Sequence, residues 1–207
     1  MSEIFFTSDT HFCHNKEFLY GPRGFTSADE MNEAIIERWN KIVKPTDMVY
    51  HLGDTILNDN EKGIECFKQL NGQIFLILGN HDTENRTNAL LEACRFRIYG
   101  GWHAYIIKHG KQSIYLSHYP TLTANYDDKH FSQHVINLHG HVHSRKPWID
   151  PRNPFMYDVG LDAHNCTPVH IEEVMTDIRQ RWNDIGRLPV PVQPQDTYPY
   201  GGVINEN

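Results

Sequence analysis

The chain has 207 residues, 39% hydrophobic and 22% charged, with a formal net charge of −7. That balance belongs to an ordinary globular chain, long enough for one domain with a real core. It argues against strong non-specific binding to a nucleic-acid backbone, which needs a basic surface. No run approaches the ~20 apolar residues of a membrane span, and Met1-Ser2-Glu3 has no basic leader behind it. Cys13, Cys66, Cys94 and Cys166 stand far apart with no C-x-x-C pair. Buried free thiols and a cytoplasmic location are therefore expected.

Along the chain, strands and helices alternate, and polar motifs recur where strands end. Ile4–Thr7 is a short apolar strand running into Asp9-Thr10-His11. Ser27, with Glu30 three residues on, reads as a capping box for a helix over 28–43. Its apolar face is Met31, Ala34, Ile35, Trp39 and Ile42, spaced by three and four. A strand over 48–52 leads to Gly53-Asp54. A second helix over 61–70 carries Ile64, Phe67 and Leu70 and stops at Asn71-Gly72. The wholly apolar 74–78 reads as a central strand buried on both faces, delivering Gly79-Asn80-His81-Asp82.

A third helix is expected over 84–94. After Gly100-Gly101 the pattern changes to two strands, 103–108 and 113–117, with a tight turn at Gly110 and His118 at the far end. A strand over 135–139 reaches Gly140-His141-Val142-His143. Residues 156–159 and a helix over 171–185 follow. From residue 187 the chain is Pro-rich and without periodicity, so 1–186 reads as one domain and 187–207 as an arm or tail. Its tyrosines and prolines suit an extended arm docked on its own domain or on a second copy.

Taken singly, Asp-x-His or Gly-Asp means little, since both occur in ordinary turns. Together, these motifs offer two carboxylates, several imidazoles and a carboxamide. Mixed oxygen and imidazole donors suit Mn, Fe, Co, Ni or Zn rather than Ca or Mg. Seven donors are too many for one ion and suit two that share a carboxylate. Such a pair, about 3.5–4 Å apart, clamps both oxygens of an in-line displacement at phosphorus.

In this order, Asp-x-His, Gly-Asp, Gly-Asn-His-Asp, a lone His and Gly-His-x-His resemble the calcineurin-like metallophosphoesterase family, over residues 4 to 162. The wording around Asp9 and Asp54 is similar to compact bacterial and bacteriophage members, and a phage-encoded chain would work in the host cytoplasm. The resemblance implies a four-layer α/β/β/α sandwich of two mixed sheets with flanking helices. It implies two divalent metals, Mn foremost. Asp9, His11, Asp54 and His143 would hold one; Asn80, His118 and His141 would hold the other, with Asp54 bridging. A hydroxide between the ions would attack phosphorus. His81 would assist the leaving group, and Asp82 would orient His81 and fix its tautomer.

Further candidates are less sharply drawn. His14 is a candidate to face the substrate and Asp162 to bond a metal-binding histidine; His51 reads as a strand histidine packed in the sheet, with a place behind Asp54 as the alternative. Arg86, Arg145 and Arg152 are candidates for a non-reacting phosphate. The expected activity is hydrolysis of a small phosphodiester or nucleotide. A phosphomonoesterase, a pyrophosphohydrolase and a binding module without turnover are the alternatives.

Overall fold

The computed structural model describes residues 2–123, 130–150 and 152–185. The expected arm, 187–207, lies outside the described residues. Four parallel strands, β1 (Ile4–Thr7), β2 (Met48–His51), β3 (Gln73–Ile77) and β4 (Ile98–Trp102), form one sheet. Its order is β4-β3-β2-β1-β9, closed by the antiparallel two-residue β9 (Val169–His170). The second sheet runs β5-β6-β7-β8, from β5 (Ala104–His109), β6 (Gln112–Ser117), β7 (Val135–His139) and β8 (Met156–Asp158). β5 and β6 are an antiparallel hairpin; β6, β7 and β8 are parallel. Two mixed sheets with flanking helices are what the motifs led us to expect.

The alternation of side chains explains the layering. On β1, Phe5 joins a cluster with Met31, Ile35, Trp39 and Phe67, on the helix side of the first sheet. Its neighbour Phe6 joins Tyr50, Ile77, Ile114, Leu116, Ile136 and Leu138 between the sheets. β3 does the same, sending Ile74 and Leu76 one way and Ile77 the other. A strand that feeds two cores has no polar face, which is why residues 74–78 read as continuously apolar.

α2 (Ala28–Ile42) buries Met31, Ile35 and Trp39 at the expected spacing. Emptying the Trp39 position would cost about 3–5 kcal/mol. Ser27 caps it by accepting from the Glu30 N–H, but the Glu30 carboxylate reaches back one residue further than a capping box, to the N–H and hydroxyl of Thr26. α3 (Asn60–Gln69) and α4 (Glu84–Ala93) start on the side-chain caps Asp59 and Thr83. α5 (Ile171–Ile185) adds Val174, Met175 and Ile178 to the inter-sheet cluster.

A strand ahead of the two expected after Gly100-Gly101 was not anticipated: both glycines lie inside β4. A Cβ on Gly100 would come 2.6 Å from the Leu76 carbonyl oxygen, and both glycines have positive φ. The short helix α1 (Glu17–Tyr20) and β9 were not anticipated, being too short to show a period. All four cysteines are buried and free. Among the described residues no helix is long and apolar enough to cross a membrane.

Candidate metal centre

Two donor groups converge where the strands of both sheets end. Asp9, His11 and His143 form one, and Asp54, His118 and His141 the other; within each, one donor atom per residue lies within 4.8 Å of the rest. Each carboxylate gives one oxygen to the frame and one to the site. Asp9 Oδ2 accepts from the His141 N–H at 3.0 Å. Its Oδ1 is buried with no hydrogen-bond partner, 3.8 Å from Nε2 of both His11 and His143. Asp54 Oδ1 accepts from the His81 N–H at 2.9 Å, and its Oδ2 stands 3.5 Å from Nε2 of both His11 and His118.

The imidazoles are oriented from behind. His143 Nδ1 bonds Asp162 Oδ2 at 2.8 Å, and His118 Nδ1 donates to the Leu52 carbonyl at 2.7 Å. Each bond turns the opposite nitrogen inward. His118 Nε2 then faces Asn80 Oδ1 at 3.0 Å and His143 Nε2 faces His11 Nε2 at 3.3 Å. Converging lone pairs with an orphaned carboxylate oxygen repel one another without a cation between them. These residues therefore fit divalent metal ions, and the two groups offer a place for each.

The backbone is bent to make this fit. Asp9, His11, Asp54, His141 and His143 have φ of 59°, 44°, 56°, 72° and 48°, the left-handed region that side chains avoid. The motif glycines are needed for close approach. A Cβ on Gly79 would lie 2.2 Å from Asp54 Oδ1, and one on Gly140 2.4 Å from Asp9 Oδ2.

Burial holds the His11 imidazole far below its ordinary protonation range, with His143 and Arg23 adding to the effect. Burial raises the Asp54 carboxyl, against the pull of His118. For Asp162, burial alone would raise the carboxyl, but its bonds to His143 and Arg23 hold it well below the usual carboxylate range. His143 is the counterpart: burial lowers it most, but the Asp162 bond and the negative charges of Asp9 and Asp162 together raise it.

The remaining candidates divide. His81 stands beside the first group, its ring 5.6 Å from that of His11. His14 lies 5.5 Å from His11. His51 is fully buried in β2, accepting from the Gly53 N–H and bonding the Thr10 hydroxyl; burial lowers it to about 4. Asp162 bonds a candidate metal-binding histidine, as expected.

Asp82 does not orient His81. Both its oxygens are filled by the N–H groups of Asp54, Gly79 and Thr55 and by the Thr55 hydroxyl. It braces the Asp54 turn instead, because four donors converge there. Arg86 is turned onto the His81 carbonyl and Asn60, so its guanidinium holds the His81 loop. Arg145 reaches the Pro22 carbonyl, and Arg152 is paired with Asp150. Each of the three thus has a protein acceptor in this structure, and Arg145 and Arg152 remain exposed.

Sequence reasoning missed Arg23. Its side chain is 1% exposed, bonds both Asp162 oxygens and donates to the Asp9 carbonyl at 2.8 Å. The surrounding Gly-Pro-Arg-Gly run reads only as a turn.

The chain belongs to the calcineurin-like phosphoesterase family, whose profile matches residues 2–195. An uncharacterized protein of Methanocaldococcus jannaschii is 33% identical over 181 residues, covering 84% of this chain and 90% of the relative. The gene 66 protein of Mycobacterium phage D29 is 30% identical over 212 residues, covering 89% of this chain and 98% of the relative. A crystal structure of a protein of unknown function from Aquifex aeolicus shares the fold. Its TM-score is 0.64 at 24% identity, covering 85% of this chain and 99% of that one. Family and site together make this a phosphoesterase scaffold that holds divalent metals.

Proposed function

We propose that this protein is a dinuclear, metal-dependent phosphoesterase that hydrolyses a small phosphodiester or nucleotide. The observation that carries the reading is Asp54 Oδ2, equidistant at 3.5 Å from a donor nitrogen of each group. A single anionic oxygen so placed suits a bridge between two cations. When bound, the ions would polarise the phosphoryl oxygens and acidify the attacking water. Asp9, His11 and His143 would hold one ion, and Asn80, His118 and His141 the other. The mixed donor set suits Mn, with Fe, Zn, Ni or Co as alternatives.

His81 works from outside the donor groups. Its backbone N–H is tied to Asp54 Oδ1 while its side chain remains exposed beside His11. From there the ring protonates the departing oxygen, or stabilises its charge. Four buried free thiols support a reducing, cytoplasmic setting.

Turnover of bis-(p-nitrophenyl) phosphate and of p-nitrophenyl phosphate tests this reading. Activity should vanish with chelator, return with Mn, and favour the diester. Preference for the monoester would make the protein a phosphomonoesterase. No turnover of either, with two ions bound, would make it a binding module.

A further inference from the structure

We propose that Phe18 and His14 form a platform for the leaving group of the substrate, and that this group is planar and aromatic, as in a nucleoside. The inference rests on the phosphoesterase reading above. It begins with a residue the core does not use. α1 is anchored by Leu19, which is buried, while its neighbour Phe18 is left 73% exposed. The Phe18 ring stands edge to face on His14, centroids 5.4 Å apart and planes at 86°.

A row of rings leads from there into the site. His14 is 5.5 Å from His11, and His11 is 5.6 Å from His81. Phe18 thus packs on His14, and His14 and His81 each pack beside His11 of the first donor group. His14 Nδ1 is buried and lacks a hydrogen-bond partner. At the far end of the donor groups a different ring takes over. Tyr119, 52% exposed, packs 4.7 Å from His141 and 5.3 Å from His118.

A phenyl face open to water beside an imidazole matches the two halves of a nucleobase, an apolar face and a polar edge. Base–aromatic stacking is sequence-tolerant because every base has such a face. A sugar or glycerol leaving group has no planar π face to stack on Phe18.

The test compares adenosine 5′-monophosphate with ribose 5-phosphate, which differ in the base, as inhibitors of bis-(p-nitrophenyl) phosphate turnover by the Mn-loaded protein. The base should tighten inhibition roughly five-fold or more. Phe18→Ala and Phe18→Leu should both bring the ratio of inhibition constants close to one, since each removes the ring. Tyr119→Ala should preserve it. Equal inhibition by the two compounds in the unmodified protein would overturn the platform while the phosphoesterase reading stands. A base preference lost in Tyr119→Ala and kept in Phe18→Ala would put the base at the opposite end and likewise overturn it. Absence of metal-dependent turnover would remove the phosphoesterase reading and this inference with it.

Discussion

Arg23 meets Asp162 end to end, Nε to Oδ1 at 3.0 Å and Nη2 to Oδ2 at 2.7 Å. The oxygen that receives Nη2 also bonds His143 Nδ1. One buried cation therefore fixes the orientation of a candidate metal-binding imidazole through the carboxylate between them. Arg23→Met leaves that carboxylate without its fork, a loss of about 3–5 kcal/mol for a buried pair broken on one side. The ion of the Asp9 group should be lost to chelator before the ion of the Asp54 group. Stepwise metal analysis would show it, and parallel loss of both ions would count against the role. Arg23→Lys, which keeps the charge but not the fork, should fall between.

Asp54→Asn should lower occupancy at both positions, because one anionic bridge would serve two cations. Metal analysis of the purified variant decides it. Two full equivalents would mean that Asp54 does not bridge.

His81→Ala should behave otherwise. Both ions stay, and turnover falls by the ~10²–10⁴-fold typical of a general acid. The loss should be smaller for p-nitrophenyl leaving groups, which need little protonation. Equal losses on good and poor leaving groups would point to charge stabilisation alone.

Burial raises the Asp158 carboxyl from 3.8 to about 8, and its Oδ2 has no hydrogen-bond partner. Between those values the folded chain holds a proton that the unfolded chain releases. Stability of the metal-free protein should then fall as pH rises through this window and level off above it. Asp158→Asn should flatten the profile and leave the variant the more stable of the two at its alkaline end. Urea unfolding across the window measures this; an unchanged slope would mean that Asp158 is already ionised when folded.

Much of this architecture was legible in the residues. The α2 face repeats at helical spacing, and residues 74–78 announce a strand with two apolar faces. Each donor motif follows a strand or precedes a loop that crosses to the site. What stayed hidden depends on distant partners. Asp82 lies beside His81 in sequence, yet its carboxylate is claimed by a turn 27 and 28 residues away. Arg23 finds Asp162 across 139 residues. No local pattern encodes either pairing. Gly100 and Gly101 carry no strand signal, and only the neighbouring Leu76 carbonyl shows why a Cβ is excluded at Gly100.

The left-handed backbone at Asp9, His11, Asp54, His141 and His143 sets folding and activity against each other. Each such residue costs of order 1–3 kcal/mol when held there, and glycine would relieve it. A selection for heat resistance without metal or substrate would thus favour losing the more exposed donors, His141 and His143 first. Directed evolution of this scaffold has to screen for turnover alongside stability, or it will erode the centre it is meant to preserve.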